Sequence, residues 1–131
     1  MSATEGESSE SAWRRQERQQ RDRFVAFAFA AAQLLIEVDP AGVVSYAIGA
    51  SFGLSRGDTA KLAGRRFTDL AAPQDASYCR ELLRQLAAAG RIEPRIVRMR
   101  TLRGATVSFL IGGSTLPNRP GYSFLSLTQA P

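Results

Sequence analysis

The side chains that most often carry catalysis or bind metals are scarce in this sequence. It contains no histidine, one cysteine, Cys79, and one lysine, Lys61. Histidine is the usual general base for serine and cysteine nucleophiles and the commonest zinc ligand, so the ordinary forms of those sites cannot be built. We therefore predict no catalytic residues and no metal site.

The remaining candidates for chemistry are carboxylates and one glycine-rich segment. Asp58, Asp69, Asp75 and Glu81 stand where helix capping or a solvated helix face accounts for them. The segment at residues 112–114 follows a predicted strand, but neither the lysine nor the helix of a phosphate-binding loop comes after it. We expect that the chain is not an enzyme.

Basic residues are in excess, with 17 Lys and Arg against 12 Asp and Glu, which raises the alternative of a nucleic-acid-binding domain. Arg95, Arg98, Arg100 and Arg103 lie on or beside one predicted strand. Charged side chains there usually mark a solvent face or protect a sheet edge, and no known nucleic-acid-binding motif accompanies them. We therefore place nucleic-acid binding behind the two other functions considered below.

The cysteine count and the start of the sequence bear on location. A single cysteine allows no intramolecular disulfide, and residues 1–10 are acidic and serine-rich, unlike a signal peptide. The most apolar run, residues 24–36, is shorter than the ~20 residues of a spanning helix. We predict a cytoplasmic chain without a membrane span.

The N-terminal part divides into a predicted disordered tail at residues 1–8 and a predicted amphipathic helix at residues 9–32. Steps of four and three along the helix define one seam, which is polar in its first half and apolar in its second: Trp13, Glu17, Gln20, Phe24, Phe27, Ala31 and Leu34. Such a stripe packs either on the chain's own sheet or on a second copy, and the sequence leaves both open. The candidates for a dimer interface are Trp13, Phe24, Phe27, Ala31 and Leu34.

In the rest of the sequence, except in its middle, every second residue is apolar, as is typical of strands. A hairpin is predicted from alternation at residues 34–38 and 43–48 around an Asp-Pro-Ala-Gly turn. Short helices follow, and then a longer helix at residues 74–89 that ends at Gly90. Three strands are predicted at residues 95–101, 105–111 and 122–128. The sequence therefore predicts an α+β domain with a five-stranded antiparallel sheet.

Over about residues 33–130 this order and several local phrases resemble a PAS domain. The most specific phrase runs through Gly53-Leu54, residues 62–70 and Pro73-Gln74-Asp75. The resemblance implies strand order 2-1-5-4-3 with short helices on one face, a flanking N-terminal helix, and a sensory or protein-interaction role. It also implies homodimers formed through that helix, and an output domain or partner signalling protein, such as a histidine kinase or a cyclic-di-GMP enzyme, outside this chain.

The same resemblance implies a pocket between the sheet and the short helices. Alternation on the last strands should point Val97, Met99 and Phe109 toward those helices, where they serve equally well as ordinary core. The alternative function is thus a receptor for a small apolar metabolite or chromophore. The pocket candidates are Phe52, Phe67, Leu82, Met99, Val107 and Phe109.

We expect neither haem nor flavin as a cofactor, while an unknown small ligand stays open. Haem in such domains usually has a histidine ligand, which is missing here, although ligation by Tyr78 or Cys79 is left open. In the flavin-binding branch of the family that this chain resembles, the cysteine belongs to an Asn-Cys-Arg phrase on a short helix. Cys79, in contrast, lies inside the longer predicted helix. Its simplest role is that of a small, half-buried thiol that packs under the sheet, since free cysteine behaves mostly as a small apolar residue.

Overall fold

A computed structural model describes residues 9–31 and 33–130 of the chain. Helix α1 spans Ser9–Ala31 and precedes strands β1, Leu34–Val38, and β2, Val44–Gly49. A connecting region with the short helix α2, Phe67–Leu70, leads to the longer helix α3, Ala76–Ala89. The chain then forms β3, Arg91–Arg100, β4, Thr106–Leu116, and β5, Arg119–Gln129.

The five strands form one antiparallel sheet in the order β2-β1-β5-β4-β3. The predicted fold class and strand order are therefore confirmed. β1 and β5 lie at the centre, although they come from opposite ends of the domain, and β3 forms an edge.

The buried core lies between one face of this sheet and the connecting helices. On α3, Cys79, Leu82 and Leu86 are buried at helical spacing, which confirms the predicted amphipathic helix. Gly90 ends α3 with φ of 80°, and its N–H donates to the carbonyl of Leu86 at 2.8 Å. The sheet contributes alternate residues to the same core, such as Leu34 and Ile36 of β1.

The hairpin between β1 and β2 has the predicted turn, but the register of β2 differs from its sequence pattern. The Asp39 carboxylate accepts hydrogen bonds from the N–H of Ala41 at 2.9 Å and of Val43 at 3.0 Å. Beyond the turn a bulge intervenes, because Val38 pairs with Val44 whereas Glu37 pairs with Tyr46.

The alternation predicts that Val44, Tyr46 and Ile48 share one face of the sheet. Because of the bulge, Tyr46 and Ile48 instead face away from Val44. Val44 and Ala47 are buried, while Tyr46 is 56% exposed and Ile48 is 37% exposed. The extra residue at Ser45 reverses the facing of every side chain after it.

The last three strands are longer than predicted, because residues that usually interrupt strands lie inside them. Gly113 continues β4, and a Cβ there would come within 2.8 Å of Leu125 Cδ2 and 3.1 Å of Leu86 Cδ2, so glycine permits close packing of α3. Pro94 lies at a bulge of edge strand β3, between Ile92 and Arg95, where no ladder hydrogen bond is lost.

Gln33 anchors the segment between α1 and the sheet. Its N–H donates to the Leu127 carbonyl at 3.1 Å, and its own carbonyl accepts from the N–H of Ala50 at 2.8 Å. Its side-chain Oε1 accepts from the N–H of Gln129 at 3.0 Å. Three hydrogen bonds therefore fix this residue to β5 and to the end of β2.

A pair of charged residues joins the start of α3 to β3. The Arg98 guanidinium donates to the Asp75 carboxylate through Nε at 3.0 Å and Nη2 at 2.8 Å, and the Arg98 backbone N–H donates to it at 2.9 Å. These side-chain hydrogen bonds hold the pKa of Asp75 below its ordinary value of 3.8, against the opposite effect of burial.

This pair should make stability depend on pH in the acid range. Because the pKa of Asp75 is lower in the folded chain, the pair contributes stability above pH 3.8, and this contribution is lost as the pH falls through the folded-state pKa. Urea unfolding followed from neutral to acid pH should show a shallower acid loss for Asp75→Asn than for the parent chain. Glu93→Gln, an exposed change on β3, is the matched control. An unchanged acid profile in Asp75→Asn would contradict the assignment.

Candidate functional site

The six predicted pocket residues come together on the core side of the sheet. Phe67, Leu82, Met99 and Phe109 are each exposed by 2% or less, and Phe52 and Val107 are half-buried against the same cluster. The Phe52 and Phe109 rings meet edge to face, with centroids 5.2 Å apart and planes at 72°. The grouping is thus present, while the binding of a ligand there stays a prediction.

Phe52 has an unusual backbone that the sequence pattern did not indicate. Its φ is +53°, in the left-handed region that is unfavourable for a bulky side chain, and Gly53 follows with φ of +79°. The turn is fixed from both sides, since Leu54 N–H donates to the Ser51 carbonyl and Leu102 N–H donates to the Gly53 carbonyl, each at 2.9 Å. This conformation places the Phe52 ring against Phe109 at the edge of the core.

Polar groups next to the core are already satisfied. Ser55 Oγ donates to the Asp58 carbonyl at 2.9 Å, and Thr59 Oγ1 donates to the Gly49 carbonyl. Among the side chains that the structure describes, no buried nitrogen or oxygen lacks a hydrogen-bond partner. The pocket candidates therefore offer mainly apolar contacts to a ligand.

Cys79 lies inside α3, as predicted, and its side chain is fully buried where a half-buried one was expected. Burial first, and then the Asp75 carboxylate, raises the pKa of the thiol to about 11. This shift keeps Cys79 in the protonated thiol form at neutral pH, whereas the thiolate is the more nucleophilic form.

The opposite face of the sheet carries an apolar groove that the sequence analysis missed. The groove has a volume of about 280 Å³, and Ile48 and Tyr46 of β2 lie beside Leu35 and Glu37 of β1. On β5, Ser126 pairs with Leu35, and Phe124 pairs with Glu37. We define the outer groove by the residues Leu35, Glu37, Tyr46, Ile48, Phe124 and Ser126.

Of the five predicted dimer-interface residues, the structure describes the side chains of Trp13 and Leu34, and these two lie in different environments. Trp13 lies on α1 and is 61% exposed, whereas Leu34 belongs to β1, is completely buried, and pairs with Gly49 and Leu127. Because α1 ends before Leu34, that residue serves the core and not the helix stripe. The side chains of Phe24, Phe27 and Ala31 lie outside the part of the chain that the structure describes.

Residues 9–31 and 33–130 offer neither a candidate metal site nor a candidate membrane span. These residues hold no group of three His, Cys, Asp or Glu side chains placed to bind a metal ion. None of the helices described here combines the length and the apolar character that crossing a bilayer requires.

Comparison with known proteins gives matches in structure alone. No protein-family model matches the sequence, and no curated protein matches it. Among solved structures, the PAS-B domain of Drosophila melanogaster Cycle with bound ethylene glycol has a TM-score of 0.63 at 9% identity, over 74% of this chain and 99% of that one.

Two other solved structures resemble the chain to a similar degree. A light-oxygen-voltage domain studied with a flavin analogue has a TM-score of 0.65 at 16% identity, over 83% of this chain and 85% of that one. A domain of a sensory box sensor histidine kinase/response regulator from Geobacter sulfurreducens has a TM-score of 0.65 at 12% identity, over 83% and 93%. At such identities the likeness concerns the fold.

Proposed function

We propose, on the premise that this chain has the PAS fold, that it is a signal-input module that acts as a homodimer. Its output is a histidine kinase or a cyclic-di-GMP enzyme, carried outside residues 1–131 or by a partner protein. The observation that carries the proposal is an apolar outer groove together with a helix, α1, whose described side chains are exposed except for that of Glu17. The structural likeness to a domain of a sensor histidine kinase supports the signalling role.

The second copy's α1 is the proposed occupant of the outer groove. Of the α1 side chains that the structure describes, all are exposed except Glu17, which is half-buried. Trp13 exposes most of its ring, and an amphipathic helix normally buries such a side chain on folding or on association. Since α1 does not bury Trp13 within the chain, a second copy is the simplest partner for both surfaces.

The sheet offers a direct route between the core and this groove. On β5, Leu125 faces the core while its neighbour Phe124 lines the groove, and on β1 Ile36 and Leu35 divide in the same way. Successive residues of a strand point to opposite faces, so a shift of the core side chains moves the groove side chains with it. A change sensed in the core would thereby alter the dimer contact.

A charge placed in the outer groove should weaken the dimer. Ile48→Glu is expected to raise the dimer dissociation constant at least tenfold, about 1.4 kcal/mol, because a carboxylate would be buried in an apolar contact. Sedimentation equilibrium of the full chain measures this. Leu102→Glu, at an exposed apolar residue on the β3–β4 turn, is the matched control and should leave association unchanged.

Two results would contradict the dimer proposal. The parent chain could sediment as a monomer throughout the micromolar range, or Leu102→Glu could weaken association as much as Ile48→Glu. In the second case a general charge effect, and not the outer groove, would explain the loss.

The second candidate function is a receptor for a small apolar metabolite or chromophore. The strained Phe52 at the edge of the cluster favours it, because backbone strain often accompanies binding sites. Two of the similar structures also concern domains with ethylene glycol or a flavin analogue. Native mass spectra and a visible absorption spectrum of the purified chain decide this candidate. An added mass of a small molecule supports it, a flavin spectrum identifies the ligand class, and a colourless chain at its bare mass favours the dimeric signal-input module instead.

A further inference from the structure

Four arginines surround the turn between β3 and β4. Cavities of about 590 Å³ and 380 Å³ lie beside this turn and share Thr101, Leu102 and Arg103 as lining residues. Arg56 lines the first cavity, and Arg65 and Arg100 line the second. We call the two cavities together the basic cleft, defined by the residues Arg56, Arg65, Arg100 and Arg103.

Hydrogen bonds hold the segments of the basic cleft together. Thr101 N–H donates to the Ala105 carbonyl at 2.8 Å, which closes the turn, and Leu102 N–H joins it to Gly53 at 2.9 Å. Arg65 Nη1 donates to the Leu54 carbonyl at 2.8 Å, which fixes that guanidinium beside the same segment. The cleft is therefore largely formed before any ligand arrives, which lowers the entropy cost of binding.

The positive charge of the cleft is not neutralised locally. In residues 9–31 and 33–130, none of the four arginines forms an ion pair, whereas Arg98 and Arg119 each pair with a carboxylate. Among the residues lining the two cavities, Asp69 is the one carboxylate. Several guanidinium groups around a cavity concentrate positive potential there and attract anions.

We infer that the basic cleft binds a small molecule that carries a diphosphate group. Guanidinium groups bind phosphate oxygens in bidentate geometry, and a diphosphate presents enough charge to engage more than one of them. Leu102, 53% exposed and shared by the two cavities, offers apolar surface to an organic part of the ligand. This site is independent of the proposed dimer contact.

The arrangement favours a small ligand over a nucleic-acid backbone. The four arginines come from the segment at residues 53–56, from Arg65, and from the end of β3 with its turn, and they line two cavities that share three residues. Along β3 the series of charges is interrupted, because Arg98 is tied to Asp75. A nucleic-acid strand would require a longer continuous track of cations.

Calorimetry measures the binding of pyrophosphate to the full chain and so tests the inference. NMR chemical shifts of the amides of residues 101–105 report whether binding occurs at the basic cleft. Pyrophosphate should bind saturably and shift those amides. Arg100→Gln combined with Arg103→Gln should weaken binding at least tenfold, since both side chains are exposed and their loss leaves the core intact. Arg91→Gln, an equal change at the far end of β3, should leave the affinity within twofold. Circular dichroism confirms that the variants fold.

Parallel titrations with ADP and with adenosine distinguish the two sources of the diphosphate. Tighter binding of ADP than of pyrophosphate assigns a nucleotide, while equal binding assigns the free anion, and both support the site. The inference is overturned if millimolar pyrophosphate does not bind, or if Arg91→Gln costs as much as the double variant. It is also overturned if a duplex oligonucleotide binds more tightly than pyrophosphate and loses affinity equally in all variants.

Discussion

Phe109→Ala is expected to lower the free energy of unfolding by about 3–5 kcal/mol. The side chain is fully buried in the centre of β4, its ring meets Phe52 edge to face, and it belongs to the continuous core cluster. Truncation removes this burial and leaves a cavity that a close-packed interior refills only in part. Urea unfolding followed by circular dichroism measures the loss.

Leu110→Ala is the matched control, because it removes an apolar side chain from the next residue of the same strand. Leu110 is 41% exposed on the other face of the sheet, so its loss should cost less than about 1 kcal/mol. Equal costs for the two variants would contradict the register of β4, since a slip of one residue exchanges the buried and exposed faces.

Gly49→Ala is expected to destabilise the chain by about 2–4 kcal/mol. Gly49 has φ of +114°, and a Cβ there would stand 2.4 Å from the Gln33 carbonyl oxygen and 3.1 Å from Leu34 Cα. The obstacle is backbone that Ala50 already holds by a hydrogen bond at 2.8 Å, so it cannot swing away as a side chain would. Thermal and urea unfolding both report the loss.

Gly104→Ala separates the backbone conformation from the steric clash. Gly104 also has a positive φ, +85°, but nothing lies within 4 Å of the position that its Cβ would occupy. This change should cost about 1 kcal/mol, from the conformational preference alone. If both alanine variants lost the same amount, the close approach of Gln33 to Gly49 would be contradicted.

Features that depend on local periodicity could be predicted from the sequence. The alternation at residues 34–38 and the helical spacing of Cys79, Leu82 and Leu86 each report which face is apolar, and Gly90 marks the end of α3. The bulge beside Val38 could not be predicted, because it depends on which hydrogen-bonding register two strands adopt. It was that bulge which moved Tyr46 and Ile48 to the outer face.

The candidate sites could likewise be predicted where they depend on local alternation, and could not where they depend on contacts between distant residues or on strand register. Met99 and Phe109 were predicted together because alternation along neighbouring strands places them on one face. The basic cleft was missed because Arg56, Arg65 and Arg103 are distant in sequence. They line the same pair of cavities only because a backbone hydrogen bond joins residue 102 to residue 53. The outer groove was missed because it depends on the bulge.

The attachment of Gln33 has a mechanical consequence. Its three hydrogen bonds fix the chain just before β1, and the 23 residues of α1 extend over about 34 Å. A tilt of α1 by about 5° would displace its far end by about 3 Å, roughly the sum of the van der Waals radii of two atoms. Because β1 is hydrogen-bonded on both edges, Gln33 stays with the sheet, so a small change in the angle of α1 would become a large displacement at the end of the helix farthest from β1.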